Sequence, residues 1–588
     1  MTANTLRIGA FSAFYGDSPD NMEVLLDDGV DVLIGDYLAE LTMLILRKNQ
    51  LRGGPGYART FVTQLGANLE RIATQGVKVV ANAGGLDPEG CAEEIRGLCR
   101  ERGIDLTVAA VVGDDLRESL DGIELSNMDT GEVLDPGAHT VLTANAYLGA
   151  WPIVEALRAG ADIVVCPRAT DASLVVGPAA WHFSWGRQDW DRLAGAVVAG
   201  HLIERGGQVT GGNFSRFYEH DDLGHPGLPI AEVAADGGSV ITKVRGSGGL
   251  VSPDTVKAQL FYEVDGPHYH NPDVVTDLTS ITVADLGDDR VAVSGVRGLP
   301  PTTTTKLSLT YEGGYRNAMT IGVTGSHVEQ KVAWLRRQVE SRVGGPETFD
   351  GFRWTVIGPA RATDGTYDEA TAMVVITARD RDAAKVSRQA FADRIVQICL
   401  ASIPGFYMTT PPQKERLFGV QWPCLVDKAL IRPVVRIDGR PALEVEWESE
   451  VDSNTRPVAP TADLAAFPEL EDAATVAVPL GDIVATRSGD KGGKANLGVW
   501  VRDEMAYAWL RGHLTPDRLA ELMPEVRGLR VDRHEFANLL GLNFVIHGYL
   551  EQGVSSCLRI DPQAKGLGEY LGNRTVEVPK VLLGIRTD

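Results

Sequence analysis

Five short apolar runs recur along the first 170 residues: Leu6–Phe11, Asp31–Tyr37, Val77–Gly85, Asp105–Asp115 and Ala161–Ser173. Each is nearly continuous in apolar residues rather than alternating. That pattern belongs to strands buried on both faces of a parallel sheet. Segments of helical spacing lie between them. One is predicted to start at an N-cap Ser18 with Pro19 in its first position. Two others end at Gly76 and Gly103, in the manner of glycine C-caps. A further helix leads up to Gly160, with Pro152 delaying its start. Repeated βα units predict an α/β region built on a parallel sheet, doubly wound or barrel-like, with the open sheet preferred.

Beyond about Val240 the texture changes. Strand-like segments with Gly and Asp turns predict an antiparallel α+β section over about 240–375. The polar stretch Glu448–Asp472 contains proline and lacks periodicity. It is the expected linker, 451–472, between an α/β domain over 1–450 and a smaller α+β two-layer domain over 473–588. In that last domain helices are expected from Asp503, from Thr515 and over Phe536–Gly548, with strands on either side.

A chain of 588 residues exceeds one ordinary core, and 44 % hydrophobic with 23 % charged residues suits a globular protein. A net charge of −23 argues against a general nucleic-acid or anionic-membrane surface. Six cysteines without a CxxC pair read as buried, reduced thiols. No run approaches the ~20 apolar residues of a membrane span. The expected setting is cytoplasmic, and a homo-oligomer is a further expectation from size.

In a parallel α/β fold ligands gather beyond the C-terminal ends of the strands. Asp17 and Ser18 follow the first run, and Asp36 and Glu40 the second. Asn82, Gly84 and Gly85 follow the third, Asp114 and Asp115 the fourth, and Arg168, Asp171 and Ser173 the fifth. Turns use the same residue types. Five polar ends together, one with an arginine beside acids, point instead to a site. Asp36, Glu40 and Asp171 are candidate acid–base groups, which would need a pKa raised by burial. Arg168 would anchor a carboxylate, and the N–H groups of Gly84 and Gly85 would cradle an oxyanion. Gly211, Gly212 and Asn213, and separately Lys243, lie in glycine-rich stretches that read equally as ligand loops or tight turns. His268, His270 and Asp273 lack further ligand spacing and read as a solvated turn, so no metal is expected. No GxGxxG follows a strand, and HExxH, GxSxG and P-loop patterns are missing, so no cofactor is expected.

One more stretch stands out, Thr486–Gly498, TRSGDKGGKANLG. Strands are expected to end near Thr486 and resume near Leu497. That leaves a loop longer than the two to about five residues of a plain hairpin. Its glycines can expose N–H donors, and Arg487, Ser488, Asp490, Lys491, Lys494 and Asn496 add charge and hydrogen bonds. It reads as a loop for a phosphate or an acyl carboxylate.

The stretches GDSPDN, GDYLAELTM, NAGGLDP, GADIVVCPRATDASLVVGPAAWHFSW, GHLIERGGQVTGGNFSRF, TKVRGSGGLVSPDTVKAQLFYEV and RSGDKGGKANLGV together resemble the acyclic terpene utilisation AtuA family. The resemblance spans nearly the whole chain, with a C-terminal part similar to the family's ferredoxin-fold domain. The family often has Cys where this sequence has Arg205, so no catalytic thiol is expected there. The resemblance implies catabolism of acyclic terpenes or branched-chain acids, alongside acyl-CoA carboxylases and dehydrogenases. Two readings follow. One is a hydratase or lyase on a branched acyl-CoA or its carboxylated derivative. The other is a non-catalytic acyl-CoA-binding or scaffold partner of a carboxylase or dehydrogenase.

Overall fold

The computed structural model describes residues 5–220, 223–358, 366–447, 467–470 and 473–584. Most of the expected linker, 448–466 and 471–472, lies outside the described residues. The chain forms two compact units. The first comprises Met1–Leu309, Trp422–Leu550 and Gln563–Asp588; the second comprises Thr310–Gln421 and Glu551–Pro562.

The first unit is a mixed α/β structure. Its apolar runs form β1 (Thr5–Ser12), β2 (Val32–Gly35), β3 (Lys78–Ala81) and β4 (Val108–Val112). After β5 (Val141–Ala146) comes β6 (Ile163–Val165). The pairs β1–β2, β2–β3, β3–β6 and β4–β6 are parallel. β7 (Pro229–Ala234) extends the sheet antiparallel to β1, followed by β8 (Ser239–Lys243). The complete sheet has eleven strands among the described residues. The strand β5 leaves this sheet and pairs with the long strand Thr304–Thr324.

The strands are shorter than the apolar runs, so the polar residue ending each run lies beyond the ladder. Helix α1 (Asn21–Asp28) starts after Ser18, not on it, because the carboxylate of Asp17 holds the intervening loop. Helix α2 (Glu40–Gln50) follows β2, and α3 (Arg59–Gln75) ends at Gly76 as expected. Helix α4 (Pro88–Arg102) is capped by Asp87, whose side chain accepts from Gly90 N–H at 2.9 Å, and ends at Gly103. Phe11, Tyr37, Phe61, Leu65 and Leu69 fill the layer between these helices and the sheet.

The C-terminal part of this unit carries a four-stranded antiparallel sheet. Its order is Ala485–Lys491, Lys494–Trp500, Gly541–Ile546, Val531–Phe536. Helices Glu504–His513 and Pro516–Leu522 form where expected. The helix expected over Phe536–Gly548 is instead the central strand Gly541–Ile546, entered through Leu540 at φ 54°. Every residue of that strand is buried. An apolar run buried on both faces carries no period that separates strand from helix.

In the second unit, Thr371–Asp380 pairs antiparallel with Gly351–Ile357 on one side and with Tyr315–Thr324 on the other. Met319, Ile321, Val374 and Ile376 pack with Leu335 and Val339 of helix Val328–Val343. Among the described residues no helix is long and apolar enough to cross a membrane.

Candidate functional site

Just past β2, Asp36 is 1 % exposed. Its Oδ1 accepts from Asn82 Nδ2 at 2.6 Å, while Asn82 Oδ1 accepts from Tyr37 N–H at 2.7 Å. The amide of Asn82 thus fixes the ends of β2 and β3 together. Burial, and after it the facing charge of Asp171, push the Asp36 carboxyl well above its usual range; Arg205 and Arg168 oppose this in part.

Beyond β6 stands Arg168, 4 % exposed. Its Nη1 donates to Leu38 O at 2.8 Å and to Asp171 Oδ1 at 3.1 Å; its Nη2 donates to the Tyr147 hydroxyl at 2.6 Å. Tyr147 in turn donates to Glu40 Oε1 at 2.9 Å, and Lys306 Nζ reaches the same oxygen at 3.2 Å. Lys306 is delivered by the strand pairing of β5: Tyr147 N–H donates to Lys306 O at 2.8 Å. Burial works against ionisation of Glu40, but Lys306 and Arg168 hold its carboxyl well below the usual range. Glu40 is therefore an anionic counter-ion and not an acid–base group near neutral pH.

On the other side of Asp171, Arg205 Nη2 lies 4.0 Å from its Oδ2 and 2.9 Å from Glu263 Oε2. Arg205 follows the buried helix Trp190–Ile203 and Glu204. Glu204 is 2 % exposed and sits 3.6 Å from His201 Nδ1; burial, then Asp171, raise its carboxyl. Among the described residues several buried polar atoms here lack a hydrogen-bond partner, including Arg168 Nε, Glu204 Oε2 and Arg205 Nε, the last 3.9 Å from Glu204 Oε1. Such atoms are costly unless satisfied.

The stretch Thr486–Gly498 is not a long loop. Its strands pair without interruption from Ala485–Trp500 to Lys491–Lys494, leaving Gly492 and Gly493 as a two-residue turn. Residues two apart share a face. Arg487, Gly489 and Lys491, with Asn496 and Gly498 opposite, lie against the segment Phe261–Asp265. A Cβ on Gly489 would stand 2.4 Å from the Tyr262 ring, and one on Gly498 2.4 Å from Phe261 Cβ. These glycines make room for aromatic rings instead of freeing N–H groups. Asn496 Oδ1 accepts from Glu263 N–H at 2.8 Å, and Glu263 takes φ 58° there. Ser488 and Asp490 face the other way. Ser488 Oγ accepts from Gly568 N–H at 2.9 Å, and burial, then Glu263, lift the Asp490 carboxyl to about 7.

Arg487, 7 % exposed, donates through Nη1 to Asn213 O at 3.1 Å and through Nη2 to Gln208, and stands 4.5 Å over the Tyr262 ring. Lys565 Nζ lies over the same ring at 4.5 Å and contacts its hydroxyl. Lys491 Nζ donates to Glu263 O at 2.7 Å. The hairpin side chains therefore meet the Arg205–Glu263 pair, and through it Asp171.

Other sequence candidates have different work. Gly84 N–H donates to Cys166 O at 3.0 Å and Gly85 N–H to Asn82 O at 3.4 Å, so neither is left for an oxyanion. Asp17 holds its own loop, accepting from Ala13 N–H at 3.0 Å. Lys243 pairs with Asp289 at 3.0 Å. Ser173 bonds Thr170 at the start of its helix. Gly211 and Gly212 close a turn back to Gln208 and Gly207, which leaves Asn213 O facing Arg487. His268–His270 is a strand, not a solvated turn, and Asp273 is buried, accepting from Ala150 N–H at 2.6 Å. Among the described residues no group of His, Cys, Asp and Glu is placed to hold a metal ion. The sequence does not single out Tyr147, His201, Glu204, Lys306 or Lys565; Arg205 enters only as the place where the family often has Cys, and Tyr262 and Glu263 only as part of a glycine-rich stretch. Glu204 and Arg205 do carry a local signal, two charges closing an apolar helix before a glycine pair.

Two family models match. The acyclic terpene utilisation family protein AtuA matches residues 6–437, and the AtuA ferredoxin-like domain matches residues 478–577. No curated protein and no solved structure matches the chain. The first match covers most of the sequence and includes Asp36, Asn82, Arg168 and Arg205, while the second includes the Arg487 hairpin. The chain belongs to the acyclic terpene utilisation family AtuA and carries that family's ferredoxin-like domain at its C-terminal end.

Proposed function

We propose that the protein is a lyase, a hydro-lyase or carbon–carbon lyase, acting on a branched acyl-CoA or its carboxylated derivative in cytoplasmic catabolism. The observation that carries this reading is the pairing of a buried, neutral-leaning Asp36 with the cationic Arg168 and Arg205 on either side of Asp171. A substrate carboxylate or enolate-like oxygen would take the Nε–H groups of the two arginines, which make no hydrogen bond. Asp36 would then donate or accept the proton that accompanies bond cleavage, oriented by Asn82. Glu40 and Tyr147 would keep Arg168 in place.

The test is turnover of a panel of branched enoyl-CoA and 3-hydroxyacyl-CoA thioesters. The wild-type protein should convert at least one of them. Asp36→Asn should lower kcat by about 10²–10⁴-fold, the range of a general acid–base group, while Arg168→Lys should act mainly on KM. No turnover by the wild-type protein across the panel would sink the catalytic reading. Tight binding without turnover would favour the non-catalytic acyl-CoA partner.

A further inference from the structure

Arg487 is buried, yet both groups it donates to, Asn213 O and the Gln208 amide, are neutral. Among the described residues no carboxylate lies within 4 Å of Arg487 or of Lys491, whose ammonium bonds the Glu263 carbonyl. The third cation, Lys565, contacts the neutral Tyr262 hydroxyl and has Asp490 at 3.9 Å. Glu263, whose charge reaches Arg487, Lys491 and Lys565 alike, is already paired with Arg205 at 2.9 Å, and Lys491 also feels the charge of Asp265. Burying the charge of Arg487 without a counter-ion is expensive, and Arg487 and Lys565, each 4.5 Å over the Tyr262 ring, repel one another, while Lys491 stands over Tyr269 at 5.4 Å. An anion placed among them removes both costs.

We propose that Arg487 and Lys565, over the ring of Tyr262, together with Lys491, held on the backbone of the adjacent Glu263, form a subsite for an oxyanion of the phosphate type. This extends the proposed function, on which it rests for the rest of the ligand. The ligand would carry one anionic group at Arg168 and Arg205 and a second, oxyanionic one at the hairpin. The floor of the subsite is fixed by Gly489, which admits the Tyr262 ring, and by Asn496, which holds the backbone of Glu263.

Inorganic sulfate is a suitable probe because its charge is constant across neutral pH. Calorimetric titration of the full chain should show sulfate binding that weakens at least tenfold in Arg487→Gln and in Lys565→Gln. Binding should persist in Arg487→Lys, which keeps the charge, and in Lys243→Gln, whose lysine is paired elsewhere. If Arg487→Gln does not fold, Lys565→Gln, at a more exposed position, decides. Absence of sulfate binding by the wild-type protein, or binding unchanged in both Gln variants, would overturn the proposal. Arg168→Gln separates the two readings: it should lose thioester turnover and keep sulfate. Loss of sulfate there but not in the hairpin variants would move the oxyanion to the Arg168 centre and also overturn it. Coenzyme A competing with sulfate would identify a phosphate ester of the ligand as the source, and sulfate binding undisturbed by coenzyme A would identify a free oxyanion.

Discussion

Asp114 is buried at the end of β4, where its Oδ2 accepts from Asn145 Nδ2 at 2.7 Å and from Arg168 N–H at 3.3 Å. Burial lifts its carboxyl from an ordinary 3.8 to about 7. Between those values the folded protein holds a proton that the unfolded chain has released. The unfolded state binds fewer protons there, so this group lowers stability as pH rises through the window, by on the order of 4 kcal/mol in full. Asp114→Asn stays neutral at every pH. Its melting temperature relative to wild type should therefore rise between pH 5 and pH 8, as read by calorimetry; a relative fall would contradict the assignment. Gly85 is a simpler case. It holds φ 54°, and a Cβ there would stand 2.4 Å from Leu46 Cδ1 and 2.7 Å from Gly56 O. Gly85→Ala should cost about 2 kcal/mol or more in denaturant unfolding, because the glycine serves packing and not an oxyanion.

The hairpin Ala485–Trp500 joins sequence to site through its two faces. Gly489→Ala should displace Tyr262, cost about 1–3 kcal/mol as an overpacked contact and weaken sulfate binding in the same protein. Gly492→Ala, at the turn with φ 64°, should cost stability through its backbone while leaving sulfate binding unchanged. Equal sulfate affinities in the two variants would contradict the role given to Gly489. The parallel strands and their order of polar ends were legible, since continuous apolar runs next to helical spacing have few other solutions. The hairpin was not, because glycine, lysine and asparagine signal loops locally, and only the rings of Phe261 and Tyr262 show why a strand needs glycine there. Gly541–Ile546 was misread for a related reason, a fully buried run having no polar face to betray its period. Asp36, Asn82, Arg168 and Asp171 stand out by their places after strands, whereas Tyr147 and Lys306 come from segments with no motif of their own, and Tyr262 and Glu263 close the stretch TKVRGSGGLVSPDTVKAQLFYEV without a spacing that marks them.

Across the whole molecule the net charge is −23, yet Arg168 and Arg487 are buried, with the half-buried Arg205, Lys306 and Lys491 and the exposed Lys565 beside them. Among its carboxyls, Asp36, Glu204 and Asp490 are pushed toward the neutral form, burial being the first cause in each. A cluster of cations inside an acidic protein supports the proposed anion site. Strand ends of the parallel sheet supply one part of it and the ferredoxin-like domain the other. In the proposed function both parts act on one ligand. The most direct check is calorimetric affinity for the best acyl-CoA of the panel, measured in the Arg168→Gln and Arg487→Gln variants and in the double variant. Both single changes should weaken binding at least tenfold, and the double variant should fall short of the sum of the two losses, as residues sharing one ligand do. Full affinity in either single variant would contradict a site shared by the sheet and the C-terminal hairpin.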